Sequence, residues 1–510
     1  MKSFLDTLYL AELLKAKRGE RGLREVAEEI GNVSPATLSR VEHGKMVDVE
    51  TFLQLCDWLR VAPQQFIKEA PYGVLSSQAV RYTVQGGQRL EGSVVIQGAK
   101  NAALPIIAAS LLARKGQTIL RNVPLIRDIF AAISLARELG AKVTLHEEDQ
   151  VLIIDASDVK TSVLPAQFTE LFRGSILFLA PVLARTGKAS IATVGGCRLG
   201  KRRLDFHYRG FARLGAEVTE DNERISMKMQ DYKGAYLYLD TPSHTGTENL
   251  MMAACLAEGE TTIENAALEP EIADVAHFLN LMGARISGIG TGVLHIEGVK
   301  ELSAVEYTIM PDRLDAGSMA MVAAATQGDV ALVGANLRHL GVIRAKLEQM
   351  GVEFWQDGSV IRVRRTAPLR PVNVITWPYP GYPTDLQPQI MALSCLAEGR
   401  SYLRETLFEE RFSAVQELQK MGATIEIQEG VAVVSGVAQL RGTQVTAHDI
   451  RAGTALIIAA AAAEGETVID NAWMIERGCS AVVRRLSQLG LSIQEEREYT
   501  KLFSALSRSK

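Results

Sequence analysis

A lysine stands at the expected start of a helix in the segment QGAKNAALP, residues 97–105. Gly98 follows a run of β-branched residues, and Lys100 and Asn101 open the helix. A positive side chain is misplaced there, because free backbone N–H groups already give a helix N-terminus partial positive charge. The lysine is explained if an anion binds at this point, where the ammonium and the N–H groups act together. The alternative is a solvated surface lysine.

A cysteine lies in the glycine-rich segment TVGGCRLGKRRLD, residues 193–205. Cys197 is followed closely by Lys201, Arg202 and Arg203, and nearby cations lower the pKa of a thiol and make it reactive. Cys197 is therefore the candidate reactive thiol. Three other cysteines lie in small-residue or helical runs and are predicted to be inert packing residues: Cys255, Cys395 and Cys479.

Four polar segments in the last third of the chain supply one aspartate and three arginines. PGYPTDLQ, FEERF, HDIRAG and IERG contain Asp385, Arg411, Arg451 and Arg477. Three arginines brought together would repel one another unless an anion lay among them, and the planar guanidinium suits a carboxylate or a phosphate. Asp385 is a candidate general base. Each residue alone is more often a surface charge, so only the set predicts a site for an anionic substrate.

A sequence pattern that occurs six times along the chain predicts the structural elements that must position these side chains. In each copy a run of small residues leads into glycine and an extended stretch, and a second helix-like run closes on Leu-Gly or Met-Gly. Successive closing glycines are 75, 68, 68, 71 and 68 residues apart, a period too long for a solenoid. Strands and helices alternate within each copy, which predicts an α/β class. The closing glycines are Gly140, Gly215, Gly283, Gly351, Gly422 and Gly490.

The first 75 residues or so lie outside the repeat and read as short helices. Ser34 is a good N-cap, with Pro35 at the first helical position. The phrase LREVAEEIGNVSPATLSRVEHGK resembles the helix-turn-helix of small phage-repressor-like DNA-binding domains. By that resemblance residues 34–41 form the recognition helix, with Ser34, Thr37, Ser39 and Arg40 as DNA contacts. The predicted helices are 5–18, 23–30, 35–43, 49–59 and 63–67.

The charge of this segment supports a second interpretation. Residues 1–72 contain ten Lys or Arg and eleven Asp or Glu, whereas a DNA-binding module usually carries a basic face that neutralises phosphates. The alternative to DNA binding is therefore a helical protein-interaction or dimerisation module.

The overall composition excludes several classes of protein. The formal net charge of -4 gives no general reason to expect binding to nucleic acid or a membrane. No apolar run reaches the ~18 residues of a membrane span, and the first residues lack a signal-peptide pattern. The five cysteines show no CxxC spacing, which argues against a disulfide framework or a zinc site. These features predict a protein of the reducing cytoplasm.

The repeat region, from about residue 82 to 493, resembles the UDP-N-acetylglucosamine enolpyruvyl transferases of the EPSP synthase superfamily. The phrases GAKNAALP, ENAALEPEI, PDRLDAGS and PGYPTD carry the resemblance. It implies a two-domain inside-out α/β barrel of six βαβαββ-type repeats, with helices inside and sheets outside, preceded here by a small all-α helix-turn-helix domain. The expected divisions are 1–72 for that domain, 73–81 for a linker, 82–99 plus 312–495 for one three-repeat domain, 100–311 for the other, and 496–510 for a tail.

The resemblance also implies a chemistry. The family transfers enolpyruvyl from phosphoenolpyruvate to the sugar 3′-hydroxyl and releases phosphate, without metal or organic cofactor, as the first committed step of peptidoglycan precursor synthesis. Cys197 matches the proton donor to the methylene carbon, Asp385 the acceptor of the hydroxyl proton, and Lys100 a third catalytic residue. The matched phosphoenolpyruvate site comprises Lys100, Asn101, Arg202, Arg411, Arg451 and Arg477. The matched UDP-sugar site comprises Asn101, Arg173, Arg202, Arg203, Leu204, Asp205, Phe206, Ser243, His244, Arg313, Asp385 and Leu407.

Several positions depart from the family pattern. Arg203 replaces a proline, the phrase SHTGT at residues 243–247 replaces Ser-Val-Gly-Ala-Thr, Glu410 replaces an asparagine and Cys479 a tyrosine. Most of these positions lie on the expected nucleotide-sugar side or near the hinge. Two alternatives therefore stay open: a related transferase that acts on another nucleotide or nucleotide sugar, and a DNA-binding regulator that uses the fold to sense a UDP-sugar. A sensor would be expected to lose its proton-transfer groups first, which favours the enzyme.

Overall fold

The computed structural model describes residues 3–5, 7–19, 21–31, 33–42, 47–61, 67–69, 79–192, 204–220 and 224–498. The described chain forms one compact unit within residues 1–78 and a second over Ala79–Arg497. Among the described residues, no helix is long and apolar enough to cross a membrane. Most of the predicted linker and tail lies outside the described residues.

In its described residues, the first unit has four short helices around a small core. Leu14, Leu38 and Leu55 lie at the centre of that core and are inaccessible to solvent. The Ser34 hydroxyl accepts a hydrogen bond from the Thr37 N–H at 3.0 Å, so the predicted N-cap is confirmed. The elements are β1 (Ser3–Leu5), α1 (Thr7–Arg18), α2 (Leu23–Ile30), α3 (Pro35–Glu42), α4 (Val49–Leu59) and β2 (Ile67–Glu69).

The two ends of this unit differ from the all-helical prediction. β1 and β2 pair antiparallel, with Phe4 opposite Lys68. The predicted helix 5–18 therefore begins at Thr7, and Ile67 opens β2. The rest of the predicted helix 63–67 lies outside the described residues. Strands of three residues are too short to show an alternation of apolar and polar side chains, so the pattern could not reveal them.

The second unit contains six four-stranded sheets and the helices between them. Its strands are β3 (Ala79–Gln85), β4 (Glu91–Val95), β5 (Thr118–Arg121), β6 (Lys142–His146), β7 (Val151–Asp155), β8 (Val163–Leu164), β9 (Lys188–Ala192), β10 (Ala216–Glu220), β11 (Arg224–Met229), β12 (Tyr236–Tyr238), β13 (Glu260–Glu264), β14 (Arg285–Ser287), β15 (Val293–Glu297), β16 (Glu306–Thr308), β17 (Asp329–Val333), β18 (Glu353–Asp357), β19 (Val360–Arg364), β20 (Asn373–Ile375), β21 (Arg400–Arg404), β22 (Thr424–Gln428), β23 (Val431–Ser435), β24 (Gln444–Thr446), β25 (Glu466–Asp470) and β26 (Ser492–Glu498). Its helices are α5 (Lys100–Ser110), α6 (Arg127–Glu138), α7 (Ala166–Thr169), α8 (Leu179–Thr186), α9 (Asp205–Arg213), α10 (His244–Ala254), α11 (Pro270–Leu281), α12 (Arg313–Ala325), α13 (Gly341–Gln349), α14 (Gln387–Ser394), α15 (Val415–Lys420), α16 (Ile450–Ala462) and α17 (Val482–Gln488).

All six sheets share one arrangement, which confirms the repeat. Their strand orders are β16-β5-β7-β6, β8-β9-β11-β10, β12-β13-β15-β14, β4-β17-β19-β18, β20-β21-β23-β22 and β24-β25-β3-β26. In each order the first pair of strands is parallel and the second pair antiparallel. The succession β12, α10, β13, α11, β14, β15 is the predicted βαβαββ unit.

The closing glycines end the second helix of every unit. All six have a positive φ, between 93° and 109°, a conformation that glycine adopts without steric cost. At Gly140, for example, the glycine N–H donates to the Arg137 carbonyl and the next N–H, of Ala141, donates to Ala136, both at 3.0 Å. This is the Schellman termination of a helix. The repeated phrase is therefore a repeated helix stop.

Alanine-rich helices lie inside the unit and the sheets lie outside. Every residue of α12 is buried, and so are residues 450–461 of α16. The strands instead alternate between buried and exposed side chains, as Arg400–Arg404 does. A helix that is apolar on all sides needs neighbours on all sides. The sequence therefore requires that these helices lie inside the unit and that the sheets lie outside.

Two strands of this unit pair with strands that are distant in the sequence. β4 precedes α5 in sequence but pairs with β17, whereas β16 pairs with β5. The connecting segments lie side by side: the Ala99 N–H donates to Met310 and the Asp312 N–H donates to Gln97, both at 2.8 Å. The predicted domain divisions at 99–100 and 311–312 fall in these two segments, and that division stays a prediction.

Candidate active site

Asp385 lies between two arginines that the sequence analysis grouped with it. The Arg451 Nη2 donates to Asp385 Oδ2 at 2.6 Å, and the Arg411 Nη2 donates to Asp385 Oδ1. Arg411 also donates through Nε to the Thr384 carbonyl at 3.0 Å. Asp385 lies in the turn before α14, and Arg451 is the second residue of α16. The fold therefore brings residues 66 positions apart into one ion-paired group.

The two arginines control the acidity of Asp385. Burial alone would raise the pKa of this carboxyl, but the charges of Arg451, Arg411 and Lys100 hold it well below its usual range. Asp385 is therefore ionised, and it is a weak base while both arginines bind it.

Lys100 and Arg477 share a second carboxylate, that of Asp128. The Lys100 Nζ lies 2.6 Å from Asp128 Oδ2, and the Arg477 Nε lies 2.9 Å from Asp128 Oδ1. The Asp128 side chain is only 5% exposed. Burial would raise the pKa of this carboxyl, and the charges of Lys100 and Arg477 lower it instead. The sequence predicts an anion beside Lys100, and in this structure that anion is the carboxylate of Asp128.

Asp312 stands close to both of these groups. It caps α12 by accepting hydrogen bonds from Leu314 and Asp315, and the Lys100 N–H lies 3.4 Å from its Oδ2. Burial and the neighbouring Asp315 raise the pKa of Asp312 to about 6, and the charge of Arg451 opposes them. The start of α5, the start of α12 and the start of α16 therefore meet around one charged centre.

A second polar group surrounds the start of α10. His244 Nδ1 lies 3.2 Å from Glu248 Oε1, and the Arg313 Nε donates to both Glu271 oxygens at 3.0 and 3.2 Å. Burial would lower the pKa of His244, but the charge of Glu248 and of nearby glutamates raises it to about 10. Two residues matched to the UDP-sugar site, His244 and Arg313, therefore lie in one charged group with Glu271.

Other residues of the expected UDP-sugar site lie around His207. The Ser243 hydroxyl caps α10 by accepting from Gly246 at 3.1 Å, and a Cβ on Gly246 would meet the ring of Phe206. His207 is buried, and burial followed by the charge of Arg173 lowers its pKa to about 3. Leu204 directly precedes α9, which begins at Asp205 and carries Phe206.

Asn101 adjoins the charged centre on α5, and Leu407 is linked to it through Glu405. Asn101 follows Lys100 in α5. The Leu407 N–H donates to Glu405 at 2.8 Å, and Glu405 in turn accepts from Thr384, the neighbour of Asp385, at 2.9 Å. Three further predicted site residues, Cys197, Arg202 and Arg203, lie outside the described residues.

Sequence reasoning missed the carboxylates Asp128, Asp312 and Glu271. Each lies in or just before the first turn of a helix, where acidic residues are common and attract no notice. The prediction for the other cysteines is confirmed, since Cys255, Cys395 and Cys479 are all buried. Burial raises the pKa of these thiols, to about 12 for Cys255 and Cys395 and to about 11 for Cys479.

Comparisons with known proteins agree with the geometry. The EPSP synthase (3-phosphoshikimate 1-carboxyvinyltransferase) family matches residues 84–500, and a helix-turn-helix family matches residues 14–66. A UDP-N-acetylglucosamine 1-carboxyvinyltransferase of Thermobifida fusca is 58% identical over 82% of this chain and 99% of its own length. UDP-N-acetylglucosamine 1-carboxyvinyltransferase 1 of Carboxydothermus hydrogenoformans is 42% identical over 81% of this chain and 98% of its own length.

Solved structures share the fold. The enolpyruvyl transferase NikO of Streptomyces tendae has a TM-score of 0.75 at 24% identity and covers 83% of this chain and 100% of its own. An EPSP synthase of Acinetobacter baumannii has a TM-score of 0.65 at 18% identity, with 82% and 100% covered. The chain therefore belongs to the EPSP synthase family, and its relatives place it among the UDP-N-acetylglucosamine 1-carboxyvinyltransferases, with a helix-turn-helix domain at its N-terminus.

Proposed function

We propose that this protein transfers the enolpyruvyl group of phosphoenolpyruvate to the 3′-hydroxyl of UDP-N-acetylglucosamine and releases phosphate. One observation carries the proposal beyond family membership. Phosphoenolpyruvate has two anionic groups, and the site has two pairs of cations, each pair gathered around a carboxylate. In a cell this reaction would supply a peptidoglycan precursor in the cytoplasm, where the described, unpaired cysteines would stay reduced.

The two cation pairs divide the work of binding the donor substrate. Lys100 and Arg477, together with Arg202, bind the phosphate, and Asn101 lies beside them. Arg411 and Arg451 bind the carboxylate through their planar guanidinium groups. Each substrate anion replaces a protein carboxylate as the partner of its cations, so binding exchanges ion pairs and leaves no buried cation unpaired.

The reaction is an addition followed by an elimination. Asp385 takes the proton of the sugar 3′-hydroxyl as its oxygen bonds to C2 of phosphoenolpyruvate, and Cys197 gives a proton to the methylene carbon. The C2–O bond to phosphate then breaks and the leaving phosphate takes up the proton held by Asp385, while C3 returns a proton to the Cys197 thiolate and the double bond forms again. A closed, dry site strengthens the attraction between cations and the charge that develops.

Asp385 becomes a competent base only after the arginines leave it. While Arg411 and Arg451 bind its carboxylate, its pKa is too low for efficient proton transfer from a hydroxyl. The donor carboxylate draws both guanidinium groups towards itself, and the pKa of Asp385 then rises. Binding of phosphoenolpyruvate therefore converts Asp385 into a competent base.

Acceptor choice rests on the group around the start of α10. There His244 pairs with Glu248, the Ser243 hydroxyl caps the helix, and the charge of Glu271, the partner of Arg313, also acts on His244. Arg173, Asp205 and Phe206 lie around His207. The changes at His244, Thr245 and Gly246 favour, as the second candidate, an acceptor that is a different nucleotide or nucleotide sugar.

The deciding assay is phosphate release from phosphoenolpyruvate with each acceptor. We expect release that depends on UDP-N-acetylglucosamine and forms an enolpyruvyl ether detectable by mass spectrometry. Release with a different nucleotide sugar alone would move the enzyme to the second candidate. Tight UDP-sugar binding without turnover, combined with sequence-specific DNA binding, would favour a regulator over an enzyme.

We propose DNA binding for the first unit. α2 and α3 follow each other as in a helix-turn-helix, and Arg40 is exposed on α3, whereas Leu38 and Val41 are buried on the opposite side. Ser34, Thr37 and Ser39 supply the remaining polar groups. The hydroxyl oxygens of Ser34 and Thr37 lie 2.8 Å apart and share a hydrogen bond. Two of these polar side chains are therefore also part of the N-terminal cap of α3.

Replacing Arg40 with Ala should weaken DNA binding by the full-length protein. The loss of one phosphate or base contact is expected to cost about 1–3 kcal/mol, and the loss of a phosphate contact lowers the salt slope by about 1. Selection from random duplexes identifies a site, and titration at several salt concentrations measures the effect. Arg60 is the matched control, since it follows α4. Equal binding by wild type and Arg40→Ala would remove Arg40 from the DNA contacts, and failure of the wild type to select any duplex would support a protein-interaction module.

A further inference from the structure

Two ion pairs of opposite polarity connect the start of α6 with the turn at Ala472–Arg477. The Arg127 Nε lies 2.9 Å from Glu476 Oε2, and the Arg477 Nε lies 2.9 Å from Asp128 Oδ1. Consecutive residues on one element thus face consecutive residues on the other with the charges inverted. None of the four side chains is more than 16% exposed, so bulk water screens these pairs weakly.

Inverted charges define the register of this contact. A shift of one residue would bring Arg127 against Arg477, or Asp128 against Glu476. Like charges in contact cost free energy, and a repulsive alternative is how a protein excludes the wrong arrangement. A single ion pair would permit Arg477 to swing about its partner, whereas the second pair holds the backbone of the turn in one place.

Glu476 is itself firmly held. It accepts from the Nη2 of Arg497 and lies 3.4 Å from the Tyr82 hydroxyl, so β26 and β3 both anchor it. Arg127 lies over the ring of Trp473, 5.6 Å from its centroid, and Trp473 belongs to the same turn as Glu476. Arg127 and Glu476 therefore join α6 to a fixed part of the last sheet.

We propose that the Arg127–Glu476 ion pair positions Arg477 for the phosphate of phosphoenolpyruvate. The inference rests on the proposed function. When phosphate takes Lys100 and Arg477 away from Asp128, the ion pair between Arg477 and Asp128 is lost, and Arg127 still holds the turn against α6 through Glu476 and Trp473. Arg127 and Glu476 touch no reacting atom in this scheme, so they are positioning residues.

The test is a double-mutant cycle with Arg127→Gln, Glu476→Gln and the double variant. We expect each single variant to raise the KM for phosphoenolpyruvate about tenfold. A tenfold loss of affinity corresponds to about 1.4 kcal/mol of binding free energy. The KM for the nucleotide sugar should not change. The double variant should be no worse than either single variant, because both remove the same interaction. The affinity for inorganic phosphate, measured by calorimetry, should fall in parallel.

Two controls separate positioning from general stability. Arg497→Gln removes one anchor of Glu476 but keeps its ion pair with Arg127, so it should raise the KM for phosphoenolpyruvate by less than Arg127→Gln does. The exposed pair Arg121–Glu306, joined at 2.5 Å, is the matched ion pair for a second double variant. Additive effects in the cycle, an equal effect of Arg497→Gln, or a lower Tm with normal phosphate affinity would each overturn the inference. If the wild type releases no phosphate, the proposed function fails, and the phosphate affinities still decide the role of the pair.

Discussion

Replacing Asp385 with Asn is expected to lower kcat about 1000-fold, in the range that general-base catalysis contributes. The amide keeps the shape of the side chain but cannot accept the hydroxyl proton. It also removes the negative charge between Arg411, which is 2% exposed, and Arg451, which is 10% exposed. Steady-state phosphate release at saturating substrate reports kcat, and a Tm measurement confirms that the variant folds.

The same substitution has a second, opposite consequence for binding. Because a neutral amide would not hold the two arginines, the donor carboxylate would no longer compete with a protein carboxylate for them. Phosphoenolpyruvate should therefore bind the Asp385→Asn variant at least as tightly as it binds wild type. Weaker binding together with low kcat would show that Asp385 contributes chiefly by arranging the arginines. Asp329 offers the control Asp329→Asn, since it pairs with Arg362 on an outer sheet.

Replacing Cys197 with Ser is expected to lower kcat about 100- to 1000-fold and to abolish inactivation by thiol-alkylating epoxides. A serine hydroxyl is a far weaker acid than a thiol, so proton donation to the methylene carbon should slow. Phosphate release and mass-spectrometric labelling measure the two effects.

Cys255→Ser is the matched control. Cys255 is fully buried and burial raises the pKa of its thiol to about 12, so it should neither label nor contribute to turnover. Labelling of both cysteines at equal rates, or an active Cys197→Ser enzyme that stays sensitive to the epoxide, would contradict the assigned role.

Local signals in the sequence were sufficient to predict the repeated α/β fold of this protein. The six closing glycines are recognisable because a left-handed helix stop demands glycine, and each copy of the repeat needs one. Lys100 was recognisable because its charge opposes the dipole of α5. These features depend on a few neighbouring residues, which is why the α/β class and the unusual residues could be predicted.

Long-range charge pairing could not be predicted in the same way. Asp128 looks like an ordinary acid in the first turn of an amphipathic helix, and its partner Arg477 is 349 residues away. The arginines were expected to await an external anion, but Asp128 and Asp385 already pair with them. Nothing in a single sequence says which of the many carboxylates lies within reach of a given guanidinium.

The pairing of β3 with β25 has a consequence for synthesis of the chain. Arg81 and Asp470, which join these strands, are 389 residues apart. The described elements of the helix-turn-helix unit lie within residues 3–69, so its local contacts can form while most of the chain is still untranslated. β3 cannot form its sheet until β25 has been synthesised. On the ribosome, a folded helical unit therefore precedes an enzyme whose first strand has no partner until its last repeat emerges.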